Sequence, residues 1–242
     1  MILKNNFYKF NNLSSYPDLI HGFSTRFFGS MRPKHEEHKQ SMQNFAHEIG
    51  IPAKNIVTMG QKHTNNVYCA TDKNLGGVIP DTDSIVTQNK NVFLGVVTAD
   101  CLPIFMYNPN KKVVAAIHAG WRGLFGGIIK ETVAEFIAQG SKPQDLIVGI
   151  GPCIRSCCYE IAQDHKNKLI EKPDWEQFII ERERRLFLDL PGVALHQLTS
   201  LQITKNNIED GNYCTFEHED VYSRRKEGED FGEIIGIIGI EA

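Results

Sequence analysis

No stretch of the 242-residue chain approaches the roughly 20 consecutive apolar residues needed to cross a bilayer, so a membrane span is excluded. The polar start Leu3-Lys4-Asn5-Asn6 lacks the apolar core of a signal peptide. Neither sign of charge dominates: 26 Lys and Arg stand against 29 Asp and Glu, a formal net charge of −3, which gives no electrostatic reason to expect nucleic acid. No Gly-Lys-Ser/Thr ending and no Gly-x-Gly-x-x-Gly fingerprint occurs, so triphosphate and dinucleotide folds lose their usual support. Linkers, repeats and low-complexity tracts are also missing, which leaves 1–242 as one expected domain. The basic cluster Arg182 to Arg185 is interleaved with Glu181 and Glu183 and reads as the solvated face of a helix.

Disulfides are not called for. The six cysteines, Cys69, Cys101, Cys153, Cys157, Cys158 and Cys214, lie in a chain large enough to bury a core without staples, and two of them are adjacent. They read as reduced thiols, and the expected location is cytoplasmic. A zinc deaminase signature nearly forms but fails. Cys157 follows Pro152-Cys153 one residue too late for Pro-Cys-x-x-Cys, and the only His-x-Glu, His35-Glu36-Glu37, lies in a polar helical segment.

What is present centres on Cys101 and His118. Ile104 to Tyr107 and Val113 to Ile117 are β-branched and aromatic runs, and Asn108-Pro109-Asn110-Lys111 between them has turn composition. Pairing symmetric about Pro109 and Asn110 sets Cys101 opposite His118, with Cβ atoms about 4.5 to 5.5 Å apart. Pro103 has no N–H and loosens the register near that end. A third donor is offered by His63, between the apolar stretch Ile56 to Met59 and the strand-like Val67 to Ala70. Two histidines and a thiolate make a catalytic zinc set with one position left for water or substrate. A buried thiol beside a hydrogen-bonded core histidine satisfies the same spacing.

Further along, Gly120-Trp121-Arg122-Gly123 precedes a helical pattern over 124–139, with Ile128, Ile129, Val133, Phe136 and Ile137 on one face. Such a loop offers free amides and a positive dipole end to an anion, and Arg122 can add a bidentate phosphate contact. A helix start with packing glycines and a surface arginine is the competing reading.

The remaining pattern gives strands at 19–24, 56–59, 67–70, 84–87, 92–98, 104–108, 113–118, 146–150, 185–189, 213–215 and 233–240. Helices are expected near 35–49, 124–139, 160–170, 174–182 and 193–204. Hairpins mixed with helices, without regular strand-helix alternation, predict an α+β fold: a layered mixed β-sheet core flanked by helices.

These segments resemble the YfiH-type family, once labelled the multicopper polyphenol oxidase or laccase domain, whose members include bacterial purine nucleoside phosphorylases. The matching stretches are His21-Gly22-Phe23-Ser24-Thr25-Arg26, Gln61-x-His63-x-x-x-Val67, Asp83-Ser84-Ile85-Val86-Thr87, Thr98-Ala99-Asp100-Cys101-x-Pro103, His118-Ala119-Gly120-Trp121-Arg122-Gly123 and Gly151-Pro152-Cys153-Ile154 through Cys158-Tyr159-Glu160. Six stretches in the family's order are far more specific than any one of them.

The resemblance implies one zinc ion held by His63, Cys101 and His118, and a pocket also lined by Arg26. It implies phosphorolysis of purine nucleosides to base and ribose 1-phosphate, with adenosine, inosine and methylthioadenosine as substrates and adenosine deamination as a side activity. In this reading Arg26, Arg122 and Gly120 handle substrate and phosphate. Asp100 is either a carboxylate orienting a ligating histidine or a proton carrier. The expected assembly is a monomer or homodimer.

Departures bear on specificity. Phe27-Phe28-Gly29-Ser30 stands where the family usually has two glycines, and Ser223-Arg224-Arg225-Lys226-Glu227-Gly228 replaces Ser-Tyr/His-Arg-Arg-Asp-Gly. The roles of individual arginines in that segment therefore do not transfer.

The oxidase label finds little support in the residues: no His-x-His pair occurs among the nine histidines, although copper binds nitrogen and sulfur donors more tightly than zinc and is an alternative occupant in vitro. Three alternatives to the phosphorylase stay open. One is a Cys101–His118 amide hydrolase, in line with the family's link to peptidoglycan precursors. The others are a non-catalytic zinc-stabilised binding module and an incidental polyphenol oxidase.

Overall fold

Two strands that are apolar on both faces set the architecture. Leu102–Asn108 and Val113–Ala119 are buried along their whole length, and successive side chains point to opposite sides of a sheet. Leu102, Ile104, Met106, Ala115 and Ile117 pack toward one apolar cluster, while Phe105, Tyr107, Val114 and Ala116 pack toward another. A hairpin of this kind has to lie in an inner layer.

The structure, a computed structural model, describes all 242 residues, the side chain of residue 173 apart. The inner hairpin belongs to a six-stranded mixed sheet in the spatial order Ile208–Asp210, Ile147–Ile150, Leu102–Asn108, Val113–Ala119, Ser84–Thr87, Val67–Cys69. Against it lies a seven-stranded mixed sheet in the order Ile2–Lys4, Phe7–Lys9, Leu19–Phe23, Ile234–Ile240, Phe93–Thr98, Ile56–Gly60, Val78–Pro80. Val57, Leu94, Val96 and Ile238 of the second sheet meet Phe105, Tyr107 and Val114 of the first. The outer face of the six-stranded sheet is covered by Ile128–Ala138 and Leu190–Ser200, through Ile129, Val133, Phe136 and Leu198. Phe45 of helix His38–Glu48 covers Ile56, Phe93, Ile235 and Ile237 on the other side. The layers are thus helix, sheet, sheet, helix, the expected α+β class. No described helix is long and apolar enough to cross a membrane.

The hairpin register differs from the symmetric expectation. Asn108 pairs with Val113, Pro103 with His118 and Leu102 with Ala119, so the loop is Pro109 to Lys112 and the cross-strand partner of His118 is Pro103, not Cys101. Asn108 is the cause: its side-chain oxygen accepts from the amides of Asn110 (2.9 Å) and Lys111 (3.0 Å), and Lys112 takes φ +53° to close the longer turn. Cys101 lies one residue beyond the last pair and still reaches His118.

Other boundaries also moved. The helix expected over 124–139 begins at Trp121 and is divided by Gly127 (φ +89°) into Trp121–Gly126 and Ile128–Ala138. Residues 160–170 divide into the strand Glu160–Ile161 and the helix Gln163–Leu169. The helix expected over 174–182 is instead the 3-10 turn Pro173–Phe178 followed by the strand Ile179–Arg182. That strand turns through Glu183 (φ +50°) and Arg184 (φ +62°) and pairs with Arg185–Leu188, so the Arg182 to Arg185 cluster is a hairpin tip and not a helix face. Positive φ at both central residues matches the twist of the flanking strands. The strand expected at 213–215 is reduced to a single bridge between Cys153 and Cys214.

Candidate metal centre and its two clefts

His63 follows the end of strand Ile56–Gly60, in a loop whose shape is imposed from outside. Gln61 docks the loop on the neighbouring strand by accepting from the Val97 amide (3.0 Å) and donating to the Val97 carbonyl (2.8 Å). His63 itself has φ +61°, a left-handed conformation costly for a residue with a side chain. It is held by Asp83, which is fully buried. The Asp83 carboxylate accepts from the amides of Lys62 (3.1 Å), His63 (3.0 Å) and Thr64 (2.8 Å) and from the Thr64 hydroxyl (2.8 Å).

The same carboxylate accepts from Nδ1 of His118 at 2.8 Å. His118 lies in strand Val113–Ala119 and is buried. With Nδ1 taken, Nε2 is its free donor toward the site. Nε2 of His63 lies 3.5 Å from Sγ of Cys101, and the three donor atoms of His63, Cys101 and His118 all fall within 4.8 Å of one another. The structure thus brings Cys101 and His118 together without the direct pairing expected from sequence, and the sequence-distant His63 joins them.

The electrostatics of the three groups are coupled. Burial raises the Cys101 thiol, but His118 and His63 outweigh it and bring Cys101 down to about 6. Burial lowers His118, but Cys101 and Asp83 outweigh it and lift His118 to about 9. Burial also raises Asp83, whereas His118 and the Thr64 amide and hydroxyl hold it well below the usual carboxylate range. Without an ion, the site near neutral pH is thus a thiolate facing an imidazolium backed by a carboxylate.

Gly120 closes the site at one side. A Cβ there would stand 2.7 Å from Cδ2 of His63 and 3.1 Å from Sγ of Cys101. The glycine is required by the approach of this loop to the donors, and it begins the short helix Trp121–Gly126.

Two clefts meet at the cluster. One, of about 470 Å³, is lined by Trp121, Arg122, Tyr159, Arg224 and Arg225 beside His63 and Cys101. The other, of about 490 Å³, reaches the cluster from the His118 side and includes Gln61, Phe231 and Glu233. His63, Ala99, Cys101 and Arg224 face both. Burial raises the Glu233 carboxyl in the second cleft.

The remaining residues singled out in the sequence fall around this centre. Asp100 (φ +88°) accepts from the Thr215 hydroxyl (2.6 Å) and the Arg225 amide (2.7 Å), so it seats the arginine segment. The carboxylate that orients His118 is Asp83 instead. Arg122 is exposed on the rim, 4.5 Å over the Trp121 ring. Arg26, expected to line the pocket, is not among the lining residues of either cleft. Its Nε donates to the Val221 carbonyl (2.8 Å), its guanidinium pairs with Glu227, and it lies 4.1 Å over the Tyr222 ring.

Sequence reasoning gave no role to Asp83, Gln61, Tyr159, Arg224 or Arg225. For Asp83 a local signal existed: a carboxylate directly before the apolar strand Ser84–Thr87 has to be buried with partners. The arginines carried only their basic character, since the short helix Arg224–Glu227, capped by Ser223, decides which of them turns inward.

The donor set suits a metal: two imidazoles and one thiolate, one imidazole oriented by a carboxylate, and room for a further ligand. A family model described as multi-copper polyphenol oxidoreductase laccase matches residues 27–241. Purine nucleoside phosphorylase YlmD of Staphylococcus aureus is 35% identical over 211 residues, covering 83% of this chain and 78% of that protein. A purine nucleoside phosphorylase of Borreliella burgdorferi is 29% identical over 177 residues, covering 72% and 75%. Among solved structures, YlmD from Geobacillus stearothermophilus shares the fold at TM-score 0.92 and 22% identity, over 100% of this chain and 98% of that one. The hypothetical protein YfiH of Bacillus licheniformis gives TM-score 0.87 at 25% identity, over 98% and 100%. With the match running through nearly the whole sequence, the chain belongs to the multi-copper polyphenol oxidoreductase laccase family.

Proposed function

We propose that the protein catalyses phosphorolysis of purine nucleosides at the His63–Cys101–His118 centre, with zinc as its ion. The observation that carries this reading is the first cleft. Arg122, Arg224 and Arg225 and the aromatic residues Trp121 and Tyr159 line this cleft together with His63 and Cys101, a composition suited to an anion and a planar base together. The phosphorylase names of the relatives from S. aureus and B. burgdorferi support the same chemistry.

Phosphorolysis joins a phosphate oxygen to C1′ of the ribose while the bond from C1′ to the base nitrogen breaks, and the departing base takes up a proton. In this reading Arg122, Arg224 and Arg225 hold phosphate and offset charge as it shifts, and Asp100 acts through Arg225 as a positioning residue. Trp121 and Tyr159 flank the purine. Asp83 keeps His118 in the tautomer whose Nε2 faces the ion. Zinc, when bound, supplies a Lewis acid and a water of lowered pKa near the base.

The test pairs metal analysis with assays of inosine, adenosine and methylthioadenosine, with and without phosphate. Base and ribose 1-phosphate formed only with phosphate are the expected result. Free base released without phosphate would replace the phosphorylase with a hydrolytic reaction, whereas inosine formed from adenosine would report the deaminase side activity. A second reading is favoured by one observation, the depressed Cys101 thiol beside His118: a cysteine nucleophile acting on amides. A covalent adduct on Cys101 in metal-free protein that turns over an amide substrate supports it, and full activity only with zinc bound excludes it.

A further inference from the structure

A second cluster of side chains able to ligate a metal includes Cys158, which precedes Tyr159 in the chain. We propose that Cys157, Cys158, Cys214 and Glu217 bind one thiolate-preferring cation of the zinc class. Their four donor atoms, three sulfurs and a carboxylate oxygen, all lie within 4.8 Å of one another.

The fold brings these residues together from two distant segments. Strand Ile208–Asp210 pairs in parallel with Ile147–Ile150, and the chains leaving both strands stay side by side. The Cys153 amide donates to the Tyr213 carbonyl (3.1 Å), and the Thr215 amide returns to the Cys153 carbonyl (3.0 Å). Beyond this bridge each segment turns. The amides of Cys158 and Tyr159 both donate to the Arg155 carbonyl, at 2.9 and 2.7 Å, which folds Cys157 and Cys158 back toward Cys214. The His218 amide donates to the Cys214 carbonyl (3.3 Å), which brings Glu217 round to the same point. Arg182 braces the first turn from outside by donating to the carbonyls of Ser156 and Cys157.

Three free thiols and a carboxylate crowd this space. A divalent cation would join them by binding the sulfurs as thiolates, the form that ligates. Three sulfurs and one oxygen fill a tetrahedral shell without a vacant position, as structural sites do, and soft donors select zinc over magnesium or calcium. Cys153 is not one of the four donors.

The site has a position to influence the first cleft. Tyr159 follows Cys158 directly and lines that cleft, and Thr215 follows Cys214 and holds Asp100. A bound ion would pin both segments to each other.

The experiment counts zinc on the full-length protein, purified under reducing conditions, by elemental analysis and native mass spectrometry. Two ions per chain are expected for the wild type, one for Cys101→Ala, one for Cys157→Ser and none for the double variant. Cobalt loaded into Cys101→Ala should give a stronger sulfur-to-metal absorption band than cobalt loaded into Cys157→Ser. Cys157 is exposed, so its replacement by serine leaves the fold intact, as far-ultraviolet dichroism would verify. Zinc content in Cys157→Ser equal to that of the wild type would overturn the proposal, as would recovery of these thiols as a disulfide that excludes metal. Because Cys101→Ala removes only the first ion, loss of the first site and loss of the second are counted separately, and failure of the phosphorylase reading, which is read from products, leaves these counts unchanged.

Discussion

The two donor clusters differ in what stands behind the donors. At the first, His118 comes from an inner strand, and one buried carboxylate fixes both that ring and the loop carrying His63. At the second, the donors stand on turns at the ends of strands, and Cys157 and Glu217 are exposed. One cluster has three protein donors with open space on two sides; the other has four, enough to fill a tetrahedral shell. An open position with rigid support suits chemistry, and a closed shell on loops suits the joining of segments.

The comparison breaks most visibly if His118→Ala keeps activity. Loss of a ligand should remove the first ion and lower kcat/KM for nucleoside phosphorolysis by about 10³-fold or more, the scale of several kcal/mol of lost charge stabilisation. Steady-state assays with zinc quantified in the same sample check it. Asp83→Asn tests the supporting carboxylate. It should weaken zinc at the first site by about 10- to 100-fold, measured by competition with a chromophoric chelator, and leave the second site unchanged.

Titration separates the two clusters in another way. With Cys101 near 6 and His118 near 9, one proton has to leave for the metal-binding form between those values, and two below 6. Zinc affinity at the first site should therefore climb about tenfold per pH unit from 6 to 9, because ligation there displaces one proton. It should flatten above 9 and fall more steeply below 6. At the second site Cys157 and Cys158 both remain protonated near neutrality, so two or more protons leave and the slope is at least twice as steep. Calorimetry in buffers of different ionisation enthalpy reads both proton counts.

The smallest effect is expected at Gly120. A methyl group 2.7 Å from the His63 ring forces the loop to shift, at a cost of about 1 to 3 kcal/mol. Gly120→Ala should lower zinc affinity at the first site by about tenfold and lower the melting temperature of the zinc-free protein by a few degrees.

Much of the first site was legible in the sequence, for uneven reasons. The closeness of Cys101 and His118 followed from two β-branched runs joined by a short turn, and it survived a register error of two residues made at Asn108. That error was a side-chain effect: an asparagine capping two loop amides lengthens a turn that composition alone places correctly. His63 stood out as a candidate third donor between two strand-like stretches, but only resemblance tied it to the pair, because the packing of one sheet on the other, and not local sequence, brings it to Cys101. Asp83 was hidden for the same reason, since its five donors come from two separate segments. The Ile179–Arg182 strand was missed because its edge pairing outweighed a helical spacing of charges. The second cluster was half visible. Cys157 and Cys158 stood out as a pair, but Cys214 and Glu217 reach them only through the parallel pairing of Ile208–Asp210.

Strand Phe93–Thr98 ends in the seven-stranded sheet and Leu102–Asn108 begins in the six-stranded one, so Ala99, Asp100 and Cys101 alone carry the chain across. This brevity limits which length changes the protein can tolerate. One residue inserted here would turn Leu102–Asn108 over, sending Ile104 and Met106 to the face now held by Phe105 and Tyr107, and would displace Cys101 at the same time. The far end of the same hairpin, Pro109 to Lys112, is free to lengthen without either consequence. Variation in chain length should therefore be absorbed at that outer turn, while the three-residue crossing stays fixed.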